Sequence, residues 1–291
     1  MMETIGWDKI RFLVSNGCNY KCPFCHNEGQ VKSFAISKMS FDNVRIIIDV
    51  IKDVNISEIC FSGGEPFLNE DIVRMIEYAC NETVCDVCCA SNLSLITDDQ
   101  IKALSETRVK FNIQFPYIDK HLFKSSTGNG NINDILYKIE QLRKAGIQIG
   151  LNTVIQNQNM DNIKEMVMFA LKEEIPLKLL PQIGLEGSEH FKDFVYPILK
   201  EYAIDYKDKK SGAIRWTLKS NNHQTIVLYI DAPCFNKNIH NCRNYGELRI
   251  LPNMSAQTCI LKDASVLLET NKGKDVLLEQ FLTLWKNFKH C

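Results

Sequence analysis

Residues 10–29 read IRFLVSNGCNYKCPFCHNEG. An apolar, β-branched run from Ile10 to Val14 stops near Asn16-Gly17, and three cysteines follow as Cys18-x3-Cys22-x2-Cys25. A run of this length bounded by turn residues predicts a strand that empties into a loop. Outward from it, the same alternation continues. Further strands are expected at Glu58 to Phe61, Val84 to Ala90, Val109 to Phe115, Gln148 to Ile155 and Leu177 to Gln182. Between them, helical spacing of apolar residues marks Phe41 to Val54, Asp71 to Cys80, Asp98 to Leu104, Ile132 to Lys144 and Asp161 to Leu171. Ser40, Thr97 and Asn131 stand where capping oxygens are wanted, and Gly146 follows the basic end QLRKA as a stop. Successive βα units lie on a parallel sheet, and six of them fit an incomplete barrel better than a doubly wound sheet, although the repeat alone leaves both open.

After Gly184 the pattern changes. A helical stretch is expected to about Lys210, then AIRWTLKS and QTIVLYID around SNNH predict an antiparallel hairpin. Two short strands, Glu247 to Leu251 and Ser255 to Ile260, and a helix from Lys274 to Phe288 complete the reading. The expected fold class is α/β: a partial (β/α)6 TIM-like barrel over residues 1–184, with a small β-rich C-terminal extension over 185–291.

The 34 basic and 35 acidic residues leave a net charge of -1, so no global surface favours nucleic acid or an anionic membrane. The first residues carry no basic stretch ahead of an apolar one, and no apolar run approaches a membrane span, so a cytoplasmic location is expected. Twelve cysteines in a reducing compartment are better explained by metal ligation or packing than by disulfides. A structural zinc site takes four ligands, and His26, adjacent to Cys25, is poorly spaced to be the fourth. A [4Fe-4S] cluster on three thiolates leaves one iron open to a ligand. Spare thiols and zinc remain the alternatives.

CNYKCPFCHNEG, with aromatic Phe24 before its last cysteine, resembles the cluster loop of the radical S-adenosylmethionine (SAM) superfamily. The run FSGGEPF, residues 61–67, is similar to that superfamily's GGEP motif, and Ser91-Asn92 stands where Thr-Asn is frequent. The resemblance implies a [4Fe-4S] cluster on Cys18, Cys22 and Cys25, with SAM on its open iron. It also implies SAM contacts from Phe24, Gly63, Gly64, Glu65, Pro66, Ser91 and Asn92. Close backbone approach to a ligand suits the glycines. Residues 111–159 resemble the GTP 3′,8-cyclase type within the superfamily, which adds Gln114, where that type has serine, Asn152 and Ile183. In the same comparison Cys234, Cys242 and Cys259 imply a second, auxiliary [4Fe-4S] cluster. Cys60, Cys80, Cys85, Cys88 and Cys89 read as packing residues.

Arg11 matches a nucleotide-binding basic residue of that type. Other basic positions fall at Glu58, Cys60 and Gly150, the paired arginines become Arg243 and a displaced Arg249, and FKHC stands in place of a Gly-Gly tail. A triphosphate needs several positive groups to offset its desolvation, so a smaller anionic substrate held by Arg11, Arg243 and Arg249 is expected. The resemblance further implies an external one-electron donor such as flavodoxin or ferredoxin. The rival readings are a divergent GTP 3′,8-cyclase, a ribosomal-peptide maturase, which here lacks a recognition domain before Ile10, and an iron-sulfur or zinc module without catalysis.

Overall fold

The computed structural model describes residues 5–25, 36–232, 234–235, 238–262 and 264–289, with the side chains of 158 and 159 left out. His26 and Cys291 lie outside the described residues. In chain order the strands and helices are β1 (Lys9–Ser15), α1 (Phe41–Ile51), β2 (Glu58–Gly63), α2 (Ile72–Glu82), β3 (Asp86–Ser91), α3 (Asp98–Leu104) and β4 (Lys110–Gln114). Then come α4 (Lys120–Thr127), α5 (Ile132–Lys144), β5 (Gln148–Ile155), α6 (Ile163–Lys172), β6 (Leu177–Pro181) and α7 (Phe191–Tyr202). The last third holds β7 (Ala203–Asp208), β8 (Ala213–Ser220), β9 (His223–Ile230), α8 (Ile239–Tyr245), β10 (Glu247–Ile250), β11 (Ser255–Gln257), β12 (Val266–Leu267) and α9 (Lys274–Asn287).

Among the described residues, twelve strands join one sheet, in the order β12-β11-β10-β1-β2-β3-β4-β5-β6-β9-β8-β7. From β1 to β6 neighbours in sequence are parallel neighbours in space, as successive βα units require. The C-terminal segment does not build a separate sheet. Its β9 lies parallel beside β6 and its β10 parallel beside β1, so eight parallel strands run together, flanked by antiparallel β8-β7 and β11-β12. Among the described residues no ladder joins β7 to β12, and the barrel stays open.

Alternation along each strand separates two faces. Ile10, Phe12, Val14, Ile59, Phe61, Val87, Cys89, Phe111 and Ile113 pack with the helices in one hydrophobic cluster, and each fully buried side chain of this kind stabilises by about 1.5–3 kcal/mol. The opposite, inner face carries Arg11, Cys60, Cys88, Asn112 and Lys178, which belong to no part of that cluster.

Differences from the expected elements are local. Strand β3 begins at Asp86, because Val84 is 96% exposed and pairs with nothing in the ladder. The stretch before Lys210 turns from helix to strand at Ala203, since AIDYKD pairs antiparallel with β8. Helix α4 has only two large apolar residues, Leu122 and Phe123, and is instead started by Asp119, whose side chain accepts from His121 and Leu122 N–H.

Candidate active site

The C-terminal ends of β1, β2 and β3 are stitched together by the residues singled out in the sequence. Gly64 N–H donates to Ser15 O at 2.8 Å, and Glu65 N–H to Gly17 O at 2.8 Å. The turn that permits this needs Gly63: its φ is +127°, and an added Cβ would lie 2.3 Å from Ser15 O. Glu65 is fully buried and accepts from Phe67 N–H (3.1 Å), Ser91 Oγ (2.7 Å) and Asn92 N–H (2.8 Å). Its side chain also caps the short 3-10 turn Pro66–Leu68. Burial raises the Glu65 carboxyl to about 7, although those three donors favour the carboxylate. Asn92 continues the chain of contacts, donating to Asn19 Oδ1 at 3.0 Å and to Cys18 Sγ at 3.8 Å.

Thus GGEP, Ser91-Asn92 and the first cysteine meet at one place, at the end of the sheet where βα loops form sites. Cys25 N–H closes a turn onto Cys22 O at 3.2 Å, and Phe24 between them is buried. The thiols of Cys18 and Cys22 are raised to about 11 and about 12, first by burial; neighbouring cysteines raise both further. These thiols are near enough to feel one another's charge. Among the described residues, however, no group of three or more His, Cys, Asp and Glu side chains converges on a single metal ion. Three thiolates that, among the described residues, have no fourth protein ligand beside them fit a four-iron cubane with one open iron better than a closed zinc site.

Further round the sheet, Gln114 and Asn152 are register partners at the ends of β4 and mid-β5. Among the described residues, Gln114 Nε2 and Asn152 Oδ1 are buried and have no hydrogen-bond partner, polar atoms that a ligand could satisfy. Ile183 follows β6, where Gln182 N–H donates to Ile155 O at 3.0 Å and Gln156 Nε2 to Gln182 Oε1 at 2.8 Å.

Deeper on the inner face lies a charged layer. Arg11 donates to Glu247 Oε2 at 2.8 Å and to Cys60 Sγ at 3.3 Å, and Arg249 stands 3.8 Å from the same Glu247. Burial alone would neutralise Glu247, but Arg11, then Arg249 and Lys9, hold it at about 2. One carboxylate therefore serves two guanidinium groups. Lys178 on β6, which sequence reasoning missed, donates to the neutral Asn112 at 2.8 Å, and its burial lowers its pKa. The signal available was a lysine inside the apolar strand LKLLP.

Arg243 is not brought to this layer. It donates to Trp285 O and Phe288 O and lies 4.0 Å over the Trp285 ring, capping the end of α9. Cys234 sits in the turn after β9, Cys242 on α8 and Cys259 after β11, all half-buried.

The profile of the radical SAM superfamily matches residues 12–170. Curated relatives include the GTP 3′,8-cyclase of Clostridium perfringens, 24% identical over an aligned length of 267 residues, with 87% of this chain and 80% of that one covered. The probable GTP 3′,8-cyclase of Pyrococcus abyssi is 24% identical over an aligned length of 269 residues, with 87% of this chain and 84% of that one covered. Among solved structures, Streptococcus suis SuiB bound to S-adenosylmethionine superposes with a TM-score of 0.72 at 15% identity, covering 94% of this chain and 65% of that one. SuiB bound to the precursor peptide SuiA gives 0.71 at 15% identity, over 97% and 66%. The chain therefore spans just under two thirds of SuiB.

Proposed function

We propose, from the premise that the chain belongs to the radical SAM superfamily, that it acts on a small anionic substrate bound on the inner face of the barrel. Membership makes it a radical SAM enzyme with a [4Fe-4S] cluster and SAM as cofactors. Once bound, these supply a 5′-deoxyadenosyl radical able to remove a hydrogen atom from an unactivated carbon; the protein binds, orients and excludes water.

Cys18, Cys22 and Cys25 would hold three irons. The observation that carries this reading is the junction of Gly64, Glu65, Ser91 and Asn92 with the Cys18 loop. A buried carboxylate is costly unless it meets a cation, which the amino group of SAM would supply at Glu65. Pro66 starts the turn that aims Glu65, and Gly63 lets the backbone come close. Phe24 and Ile183 are assigned to apolar contacts, and Gln114 and Asn152 to polar ones.

The positive side chains of Arg11, Arg249 and Lys178 on the inner face favour an anion in that layer. Arg243, held at α9, contributes through packing. GTP is disfavoured because the positions equivalent to other basic residues of the cyclase type are Glu58, Cys60 and Gly150, although a divergent GTP 3′,8-cyclase remains the sequence-based alternative. We assign a second [4Fe-4S] cluster to Cys234, Cys242 and Cys259, an accessory role to the segment 185–291, and reduction to a flavodoxin- or ferredoxin-type donor.

A peptide substrate is the second reading. Among the described residues, strand β7 lies at the sheet edge with only β8 beside it, and Ile204 and Tyr206 are exposed, the kind of edge that an extended peptide can join.

The test is anaerobic reconstitution followed by reduction with SAM. The intact protein is expected to release 5′-deoxyadenosine and methionine; release by Cys22→Ala at the same rate would sink the assignment.

A further inference from the structure

Of the two outermost strands among the described residues, β12 spans only Val266 and Leu267, whereas β7 runs over six residues, Ala203–Asp208. Ile204 to Asp208 are all exposed, Ile204 at 59% and Tyr206 at 67%. A free edge of this kind is a template for another strand, and proteins guard it with charged side chains. On β7 these are Asp205, Lys207 and Asp208. Asp208 is paired with Lys210 at 2.9 Å, while among the described residues Asp205 and Lys207 have no ion-pair partner. Lys207 instead faces the exposed Arg215 of β8, a like charge directly opposite it.

The direction of the free backbone groups follows from one bond. Lys209 N–H donates to Ala213 O at 2.9 Å, continuing the register in which Asp208 faces Ile214 and Lys207 faces Arg215. Bonded and non-bonded pairs alternate along an antiparallel ladder, so Lys207 and Asp205 direct N–H and C=O at β8, and Tyr206 and Asp208 turn theirs outward. A second copy that presents the same edge about a two-fold axis pairs with it antiparallel, residue i facing j as j faces i. Centred on Asp205, Lys207 or Asp208, such a pairing sets that residue against its own like charge in the second copy. Centred on Tyr206, it sets Asp205 opposite Lys207 of the second copy and Lys207 opposite Asp205. Both ion pairs then fall at non-bonded positions, where Cα atoms are about 4.5 Å apart and side chains lie closest. The two Tyr206 residues exchange their outward N–H and C=O groups. Each Tyr206 ring is already stacked on Trp216 at 5.2 Å, so the pairing joins two aromatic rows into one.

We propose that β7 is a self-association edge: two copies of this chain pair β7 to β7 about Tyr206, giving a closed two-fold dimer with one continuous sheet. The charges that ward off other strands select this register, and Asp205 of the second copy relieves the opposition of Lys207 and Arg215. A second copy seated there occupies the edge on which the peptide reading depends. The inference is independent of the radical chemistry, and a failure of SAM cleavage leaves it standing.

Sedimentation equilibrium of the cluster-loaded full chain tests it. The unaltered protein is expected at the mass of two chains. Asp205→Lys sets like charges at both symmetric positions and should shift the protein to the mass of one chain; Lys207→Asp should do the same. Combining the two restores opposite pairs with their roles exchanged, and the dimer should return, a recovery that general damage to the fold would not give. Tyr206→Pro removes an N–H that points away from β8, the position at which an edge strand tolerates proline, and should abolish the dimer with far-UV circular dichroism unchanged. A single-chain mass for the unaltered protein, with or without capture of an extended peptide at β7, would overturn the proposal. So would a dimer indifferent to Asp205→Lys, or a combined variant that stays at the mass of one chain.

Discussion

Two carboxyls, Glu65 in full burial and Glu247 in partial burial, are shifted in opposite directions. Glu65 is raised from its ordinary range to about 7 by burial. The folded state then binds more protons than the unfolded one between about 4.5 and 7, so its contribution to stability is present at low pH and lost as pH rises. In the cluster-free protein, Glu65→Gln should flatten the fall in melting temperature between pH 5 and pH 7.5; an unchanged slope would refute the shift. The amino group of SAM favours the ionised form, so SAM affinity measured by calorimetry should rise as pH passes 7, and Glu65→Gln should abolish that rise. Glu247 runs the other way. Held at about 2 by Arg11, Arg249 and Lys9, it stabilises fully above its unfolded value, and that stability is lost as pH falls toward 2. Removing one partner of a buried pair strands the other charge, so Glu247→Gln should cost about 3–5 kcal/mol in chemical denaturation. Lys178 shows the limit of residue-level reading. Its spacing inside LKLLP does not distinguish a lysine that snorkels outward from one that faces the barrel interior and meets Asn112.

At the level of elements, the end of β2 carries the site's geometry, and the helix caps carry stability alone. Gly63→Ala places a Cβ 2.3 Å from Ser15 O at a φ of +127°. The strand end must shift, and the contacts of Gly64 and Glu65 with the cysteine loop go with it. A loss of about 2–4 kcal/mol and a large drop in SAM cleavage are expected. Thr97→Ala is the contrast. It removes a capping box at α3, where Thr97 Oγ1 accepts from Gln100 N–H and the Gln100 side chain accepts from Thr97 N–H. That should cost about 1 kcal/mol with SAM cleavage per folded molecule unchanged. Elements with a strong local signal were legible in sequence: α3 and α5 fall on the expected residues, and the hairpin β8-β9 turns at Asn221-Asn222. Strand β7 was not, because its exposed AIDYKD gains its conformation from pairing with β8 and not from any buried pattern of its own.

Across the whole molecule, the C-terminal segment extends the sheet at both sides, with β9 beside β6 and β10 beside β1. Cys234, Cys242 and Cys259 are hung on that extension, which makes cluster occupancy a test of the full chain. Iron analysis after anaerobic reconstitution should give about eight irons per chain, falling to about four in either Cys22→Ala or Cys242→Ala. A Cys242→Ala protein that keeps every iron would remove the auxiliary cluster and leave the first one standing. Trp7 ties the two ends of the chain together, donating to Phe281 O at 3.0 Å and meeting Trp285 edge-on at 4.9 Å. Among the described residues, no helix is long and apolar enough to cross a membrane.

By itself the sequence determined the βα alternation, the three-cysteine loop after the first strand, and the glycines and glutamate after the second, because each is a local signal: a period, a spacing or a backbone requirement. Tertiary structure alone decided which strands flank the six-stranded core, that Arg243 caps a helix while Lys178 turns inward, and that Cys60 and Cys88 meet beside Arg11. Register across strands far apart in the chain sets those contacts, and a residue's own neighbours in sequence carry no record of it.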